Sequence, residues 1–243
     1  MHLSADEIKQ LEKFRLSNNR TNSPLAIRID RLLDENELIA YLQSVRQKIG
    51  ARNQAAAASM LIKRHSFLVA IVLYAMSVWN KRLSLSFDRI WMETDDESET
   101  WLPTFRFESL ECTMADENRD KWREKTIQLL FAEHITLLIE QLRKITNISP
   151  LILWENIAIY IVWLYETLLE ENKSVHLHNR IYDDFLFVIQ EADGRLFGPY
   201  SQNPLRRFWK GEKGDRRRST CCLYYQTAAR SHCRTCPLCC ESS

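Results

Sequence analysis

A chain of 243 residues, 45% hydrophobic and 27% charged, has the length for one or two domains and the composition of a globular protein with a sizeable core. Its formal net charge of +1 excludes a uniformly basic or acidic protein, but nine Lys/Arg stand against three Asp/Glu from Ser201 onward, so a basic tail on a mildly acidic body calls for an anionic partner. Six of the seven cysteines lie between positions 221 and 240, which argues against the spread pairs of a secreted, disulfide-stapled protein and for a reducing compartment.

Met1–Gln10 is polar and has no apolar signal region, so a cytoplasmic location is expected. Ser4-x-x-Glu7 is a capping-box pattern that opens a short helix. After a polar loop over 18–24, Leu25–Ile29 suits a short strand, and Asp34-x-x-Glu37 starts a helix that Gly50 ends. Alanines 55–58 begin a strong helix reaching about Trp79. Its apolar run, 67–79, falls short of the roughly 20 residues that span a bilayer. The run 151–169 is longer but carries Glu155, Asn156 and Glu166. Both read as core, and no transmembrane segment is expected.

Leu83, Leu85 and Phe87 alternate with serines, and a second β-like run covers Ile90–Met92. Together they predict a hairpin near 83–92, turning at Asp88-Arg89 without the favoured Asn-Gly turn. Thr104–Phe107 adds a third strand. Helices follow over about 116–145, from the Ser149-Pro150 restart to about Glu171, and over about 177–192. Gly194 and Gly198-Pro199 close the regular structure. The expected fold is mainly α with a small antiparallel β-sheet (α+β). A helical body spans 1–200, and a basic, cysteine-rich segment over 201–243 packs on it.

That segment carries Cys221-Cys222-x10-Cys233-x2-Cys236. A Cys-x-x-Cys pair alone serves zinc, redox dithiols and iron–sulfur clusters alike. Four cysteines supply the thiolates an iron–sulfur cluster needs. Adjacent cysteines diverge and chelate one tetrahedral ion awkwardly, whereas a two-iron cluster offers separate attachment points. Structural zinc stays open as an alternative. Cys112 reads as a small core hydrophobe, Cys239 and Cys240 as spare tail thiols, and His232 as a neighbour that tunes the centre.

The stretch Arg218-Ser219-Thr220-Cys221-Cys222-Leu223-Tyr224-Tyr225, with Cys233-Arg234-Thr235-Cys236-Pro237-Leu238, resembles the C-terminal signature of the FhuF-like ferric siderophore reductases. A weaker likeness runs through 59–64, 73–78 and 83–85. The resemblance implies a [2Fe–2S] cluster on Cys221, Cys222, Cys233 and Cys236. It also implies an oxidoreductase that transfers one electron to a hydroxamate or citrate–hydroxamate Fe(III) chelate and releases Fe(II). An anionic ferric siderophore is then the expected partner. Lys63, Arg64, Arg206, Arg207, Lys210, Arg216, Arg217 and Arg218 are candidate contacts to it, and Arg216, Arg217, Arg218, Arg230 and Arg234 are placed to raise the cluster's potential.

No G-x-G-x-x-G, Walker A or G-x-S-x-G pattern occurs. Electrons are therefore expected from an external donor, a small redox protein or a thiol reductant, and a peripheral contact with a siderophore importer is compatible with this. A regulator using the basic tail on nucleic acid is one alternative. Against it, no helix-turn-helix or zinc-finger pattern occurs and the arginines crowd the cysteines, so no nucleic-acid partner is expected. A non-catalytic siderophore-binding protein is another.

Overall fold

The computed structural model describes residues 1–98, 100–172, 174–209 and 217–239, and 59% of the chain is helical. α1 (Ala5–Leu11) opens on the capping box: Ser4 Oγ accepts from the Glu7 N–H at 3.3 Å, and the Glu7 carboxylate accepts from the Ser4 N–H at 2.7 Å. α2 (Glu35–Lys48) starts on the Asp34 side chain. The chain leaves it at Gly50, with φ +57°, where a Cβ would stand 3.0 Å from the Ala228 methyl. That glycine lets the C-terminal loop close on the end of α2, where the Ala228 N–H donates to Ile49 O and the Arg52 N–H to Gln226 O, both at 2.9 Å.

α3 (Gln54–Trp79) is the axis of the body. Asn53 caps it, accepting from the Ala56 N–H at 2.9 Å, and Asn80 ends it in the left-handed region. α4 (Arg119–Leu130) and α5 (Thr136–Thr146) are joined by a π-helical turn over Phe131–Ile135. α6 (Pro150–Glu171) starts on Ser149 with proline in its first turn, and α7 (Val175–Leu186) runs into a second π turn. α2, α5, α6 and α7 all pack on α3. α3 and α6 are long and apolar enough to cross a membrane, but 83% and 56% of their most apolar windows are buried inside the fold.

Two small antiparallel sheets complete the α+β architecture. β1 (Ile27–Arg28), β3 (Ile90–Glu93) and β4 (Thr104–Phe107) form one in the order β1-β3-β4, with Ile90 opposite Phe107. β2 (Lys81–Leu83) and β5 (Cys112–Met114) form the other, with Leu83 opposite Cys112. The hairpin expected near 83–92 is therefore not formed. Its two runs enter different sheets because 84–86 and the 3-10 turn Phe87–Arg89 replace a tight turn, and both runs find partners within 104–114.

The π turn between α4 and α5 aims His134 into the core, where its Nε2 lies 2.7 Å from Nε2 of His65. Both rings are fully buried, and neither Nδ1 has a partner among the described residues. Burial pushes His65 down to about 3; burial and then the neighbouring His65 hold His134 well below the usual imidazole range. The unfolded chain, titrating near 6.5, thus binds more protons than the folded one as pH falls. Stability present above pH 6.5 should decline by roughly 1–1.5 kcal/mol per pH unit for each ring towards pH 4. Urea unfolding across that range should show a shallower slope for the double variant His65→Leu/His134→Leu; an unchanged slope would refute the assignment.

Candidate metal centre

The loop over 217–239 has little regular structure and takes its shape from specific hydrogen bonds. The Arg218 N–H donates to Thr235 O at 2.9 Å, which lays the two cysteine-bearing arms side by side. On one arm Leu223 turns the chain with φ +61°, and its N–H donates to Cys221 Sγ at 3.4 Å. On the other, the Cys236 N–H closes a turn on Cys233 O at 3.0 Å, and the Leu238 N–H donates to Cys236 Sγ at 3.4 Å. In each arm the amide two residues onward therefore points at a sulfur.

The body holds this loop through a buried polar junction. Ser59 Oγ on α3 donates to Cys222 O at 2.7 Å. Asn156 on α6 donates to both Ser59 oxygens at 2.9 and 3.0 Å, and accepts from the Arg218 guanidinium at 2.7 Å. Glu155 accepts from the Ser219 N–H at 2.6 Å, the Thr220 N–H at 2.7 Å and the Thr220 hydroxyl. Arg218 also donates to Thr220 O at 3.1 Å and lies 3.7 Å from the Glu155 carboxylate. All four anchoring side chains are buried, Arg218 at 5% exposure and Glu155 at 3%.

The sulfurs divide into two hydrogen-bonded pairs, Cys222 with Cys233 and Cys221 with Cys236. Cys222 is pulled down to about 5, first by the hydrogen bond from Cys233, and against its burial by the charge of Lys63, the Tyr224 amide and Arg218. Cys233, the donor of that bond, is held up by it. Burial pushes Cys221 up. Cys222 and Cys236 are buried, whereas Cys221 and Cys233 are half-exposed.

This donor set fits a two-iron cluster, which needs four thiolates shared between two metals. The adjacent cysteines go to different partners, which relieves the strain of chelating one ion with both. Among the described residues, the donor atoms lying within 4.8 Å of one another as a set of three are those of His232, Cys236 and Cys239. His232 Nδ1 is 3.2 Å from Cys236 Sγ, and its ring stacks on Tyr225 at 5.1 Å. Cys240 lies outside the described residues, and Cys112 is buried in the β2–β5 pair.

Of the candidate chelate contacts, Lys63 and Arg218 both act on the sulfurs of Cys222 and Cys233. The Lys63 Nζ lies 5.2 Å over the Tyr224 ring. Arg64 lines a cleft of about 220 Å³ with Lys48, Met60, Trp101 and Tyr224. Arg218 is turned inward as a tether. Its guanidinium is occupied by Asn156, Thr220 and Glu155, so it balances charge without facing an incoming ligand. Arg217 is exposed at the edge of the loop. Arg206 and Arg207 are exposed on a short 3-10 turn whose neighbour Trp209 meets Phe185 edge-on. Lys210 and Arg216 lie outside the described residues.

The sequence reading did not single out Ser59, Glu155 or Asn156 as site residues. The signal available was an acid and an amide, side by side, inside an otherwise apolar helix. Glu155→Gln tests the junction: one amide oxygen cannot replace a carboxylate that accepts three hydrogen bonds beside Arg218. We expect a loss of about 2–3 kcal/mol in urea unfolding. Alkylation of Cys222 in metal-free protein, followed by mass spectrometry, should also be several-fold faster. Unchanged stability and labelling would show that another contact holds the loop.

A comparison with protein families matches residues 67–210 to the family described as ferric iron reductase FhuF-like transporter. A search of curated proteins returns no match. The matched segment covers more than half of the chain, from within α3 through α7, and includes Glu155 and Asn156. The chain belongs to the family of ferric iron reductase FhuF-like proteins.

Proposed function

We propose that the protein is a cytoplasmic ferric-siderophore reductase with a [2Fe–2S] cluster on Cys221, Cys222, Cys233 and Cys236. The observation that carries this reading is the division of four thiols into two pairs, on a loop tethered to the body of a ferric iron reductase family member. When bound there, the cluster supplies a one-electron store. The transfer balances as one electron gained by the Fe(III) chelate, which releases Fe(II), and one electron restored by an external donor. Oxygen donors such as hydroxamates and carboxylates hold Fe(II) far more weakly than Fe(III), so reduction and release coincide.

The protein's own groups set the conditions. Amides of Leu223, Tyr224 and Leu238 donate to sulfur, and Lys63 and Arg218 offset negative charge, all of which raises the reduction potential. Burial of Cys222 and Cys236 keeps water from one side. The half-exposed Cys221 and Cys233 leave the other side open to an electron partner.

A second reading is favoured by the triad of His232, Cys236 and Cys239, which suits a single ion such as zinc in a structural role. Protein purified without oxygen separates the two. The reductase reading predicts iron and sulfide in equal amounts, about two of each per chain. It also predicts a dithionite-reduced spectrum that a ferric hydroxamate or citrate–hydroxamate chelate reverses. Serine at any of Cys221, Cys222, Cys233 or Cys236 should lower iron content at least tenfold, while Cys239→Ser and His232→Ala retain it. Zinc without sulfide, lost in Cys239→Ser, would establish the second reading instead. A reduced centre that stays reduced in excess chelate would exclude the reductase.

A further inference from the structure

One strip of the surface beside the cysteines gathers cations and aromatic rings. Along α3, Met60, Lys63, Arg64 and Phe67 share one face by helical spacing, and the last three are partly exposed on a helix otherwise almost entirely buried. Arg15 reaches the same strip from the turn after α1, its guanidinium 5.9 Å over the Phe67 ring. Tyr160 on α6 meets Phe67 edge-on at 5.0 Å and is hydrogen-bonded to Arg64. The exposed Trp163 extends the aromatic wall.

The two arginines are aimed, not loose. Arg15 Nη1 donates to Leu102 O and Arg64 Nε to Trp101 O, both at 3.2 Å, so consecutive carbonyls fix both forks. Among the described residues, no carboxylate forms an ion pair with Arg15, Lys63 or Arg64. Arg15 is made a weaker base first by burial and then by the charge of Arg64. Like charges held together beside aromatic rings, with the rest of each fork still able to donate, make a receptor for an anion. A guanidinium fork matches a carboxylate in particular.

We propose that Arg15, Lys63, Arg64 and Tyr160 form the docking site for a ferric chelate that bears free carboxylates, so that anionic chelates are selected over neutral or cationic ones. This rests on the ferric-chelate reading above and deepens it. The site adjoins the metal centre: Lys63 acts on Cys222 and Cys233, and Tyr160 senses Cys222. The cleft of about 220 Å³ beside Arg64 is smaller than a typical small-molecule pocket, so it receives one arm of a chelate while the remainder lies along the strip.

Redox-inert gallium chelates test this on the cluster-loaded protein, read by tryptophan fluorescence and titration calorimetry. Ga(III)–citrate should bind at least tenfold more tightly than Ga(III)–desferrioxamine B, whose pendant amine makes it cationic, and added salt should weaken only the former. Arg15→Gln and Arg64→Gln should each weaken citrate-chelate binding roughly tenfold, about 1.4 kcal/mol. Arg64→Lys should recover part of the loss, since it keeps the charge without the fork. Iron content and visible spectrum should not change. Equal affinity of the wild-type protein for both chelates, or wild-type affinity in both glutamine variants, would overturn the site; the first comparison needs no variant to fold. If the site behaves as expected while ferric hydroxamate and citrate–hydroxamate chelates fail to reoxidise the reduced protein, the docking site stands and the reductase reading falls.

Discussion

The arrangement of the cysteine-bearing loop depends on the buried junction of Ser59, Glu155, Asn156 and Arg218. Removing a carboxylate and a guanidinium from water costs several kcal/mol each, and their mutual attraction rarely returns a surplus. Here almost every polar atom of the junction is matched, and half of its eight hydrogen bonds run to the loop's backbone. The result is specificity. Glu155 selects the conformation in which the Ser219 and Thr220 amides point inward, and Ser59 fixes the carbonyl of Cys222. A small residue at 59 is what allows that carbonyl to reach the helix surface. Hydrophobic packing alone would hold the loop near the body without choosing its register.

The same junction sorts the cysteines into two faces. Cys222 faces the body, and the bond from Cys233, the Tyr224 amide and the nearby cations favour its thiolate; Cys236 is buried too. Cys221 and Cys233 stand half-exposed. Charge compensation is divided in a parallel way. Arg218 is locked from within, so its contribution is constant, whereas Lys63 lies between the sulfurs and the cationic strip on α3. An anion bound on the proposed strip would offset part of the charge that Lys63 holds beside Cys222 and Cys233.

What was legible in the sequence follows from the range of the interactions involved. The caps at Ser4, Asp34 and Ser149 are local, and the helices they start lie where the sequence places them. The grouping of the cysteines is visible from spacing, and the structure places Cys221, Cys222, Cys233 and Cys236 on one loop. Strand pairing is non-local: the runs at 83–87 and 90–92 look like hairpin partners until residues within 104–114 pair with Leu83 and with 90–93 instead. The π turns escape a reading based on a 3.6-residue period, because they add a residue without changing composition. Glu155 and Asn156 were visible as an interruption of an apolar run. Their target, 62 to 65 residues further on, was not. Arg15 is the extreme case, since nothing near it in sequence hints that it joins Arg64.

The placement of these parts along the chain has a consequence for assembly. The segment matching the family, 67–210, carries Glu155, Asn156 and Tyr160, while Arg15, Ser59, Lys63 and Arg64 precede it and the cysteines follow it. No single stretch contains the site. The loop over 217–239 has no core of its own: Cys222 belongs to the body's hydrophobic core, with Leu223 and Tyr224 packed against it. Isolated from α3 and α6, the loop would lose both the carboxylate that orders its amides and the serine that fixes Cys222. The four thiols reach their paired arrangement only when the body is folded, since α3 and α6 supply the groups that hold the loop. A metal bound at that stage stabilises the whole fold rather than the tail alone, because its ligands are tied through the junction to the two longest helices.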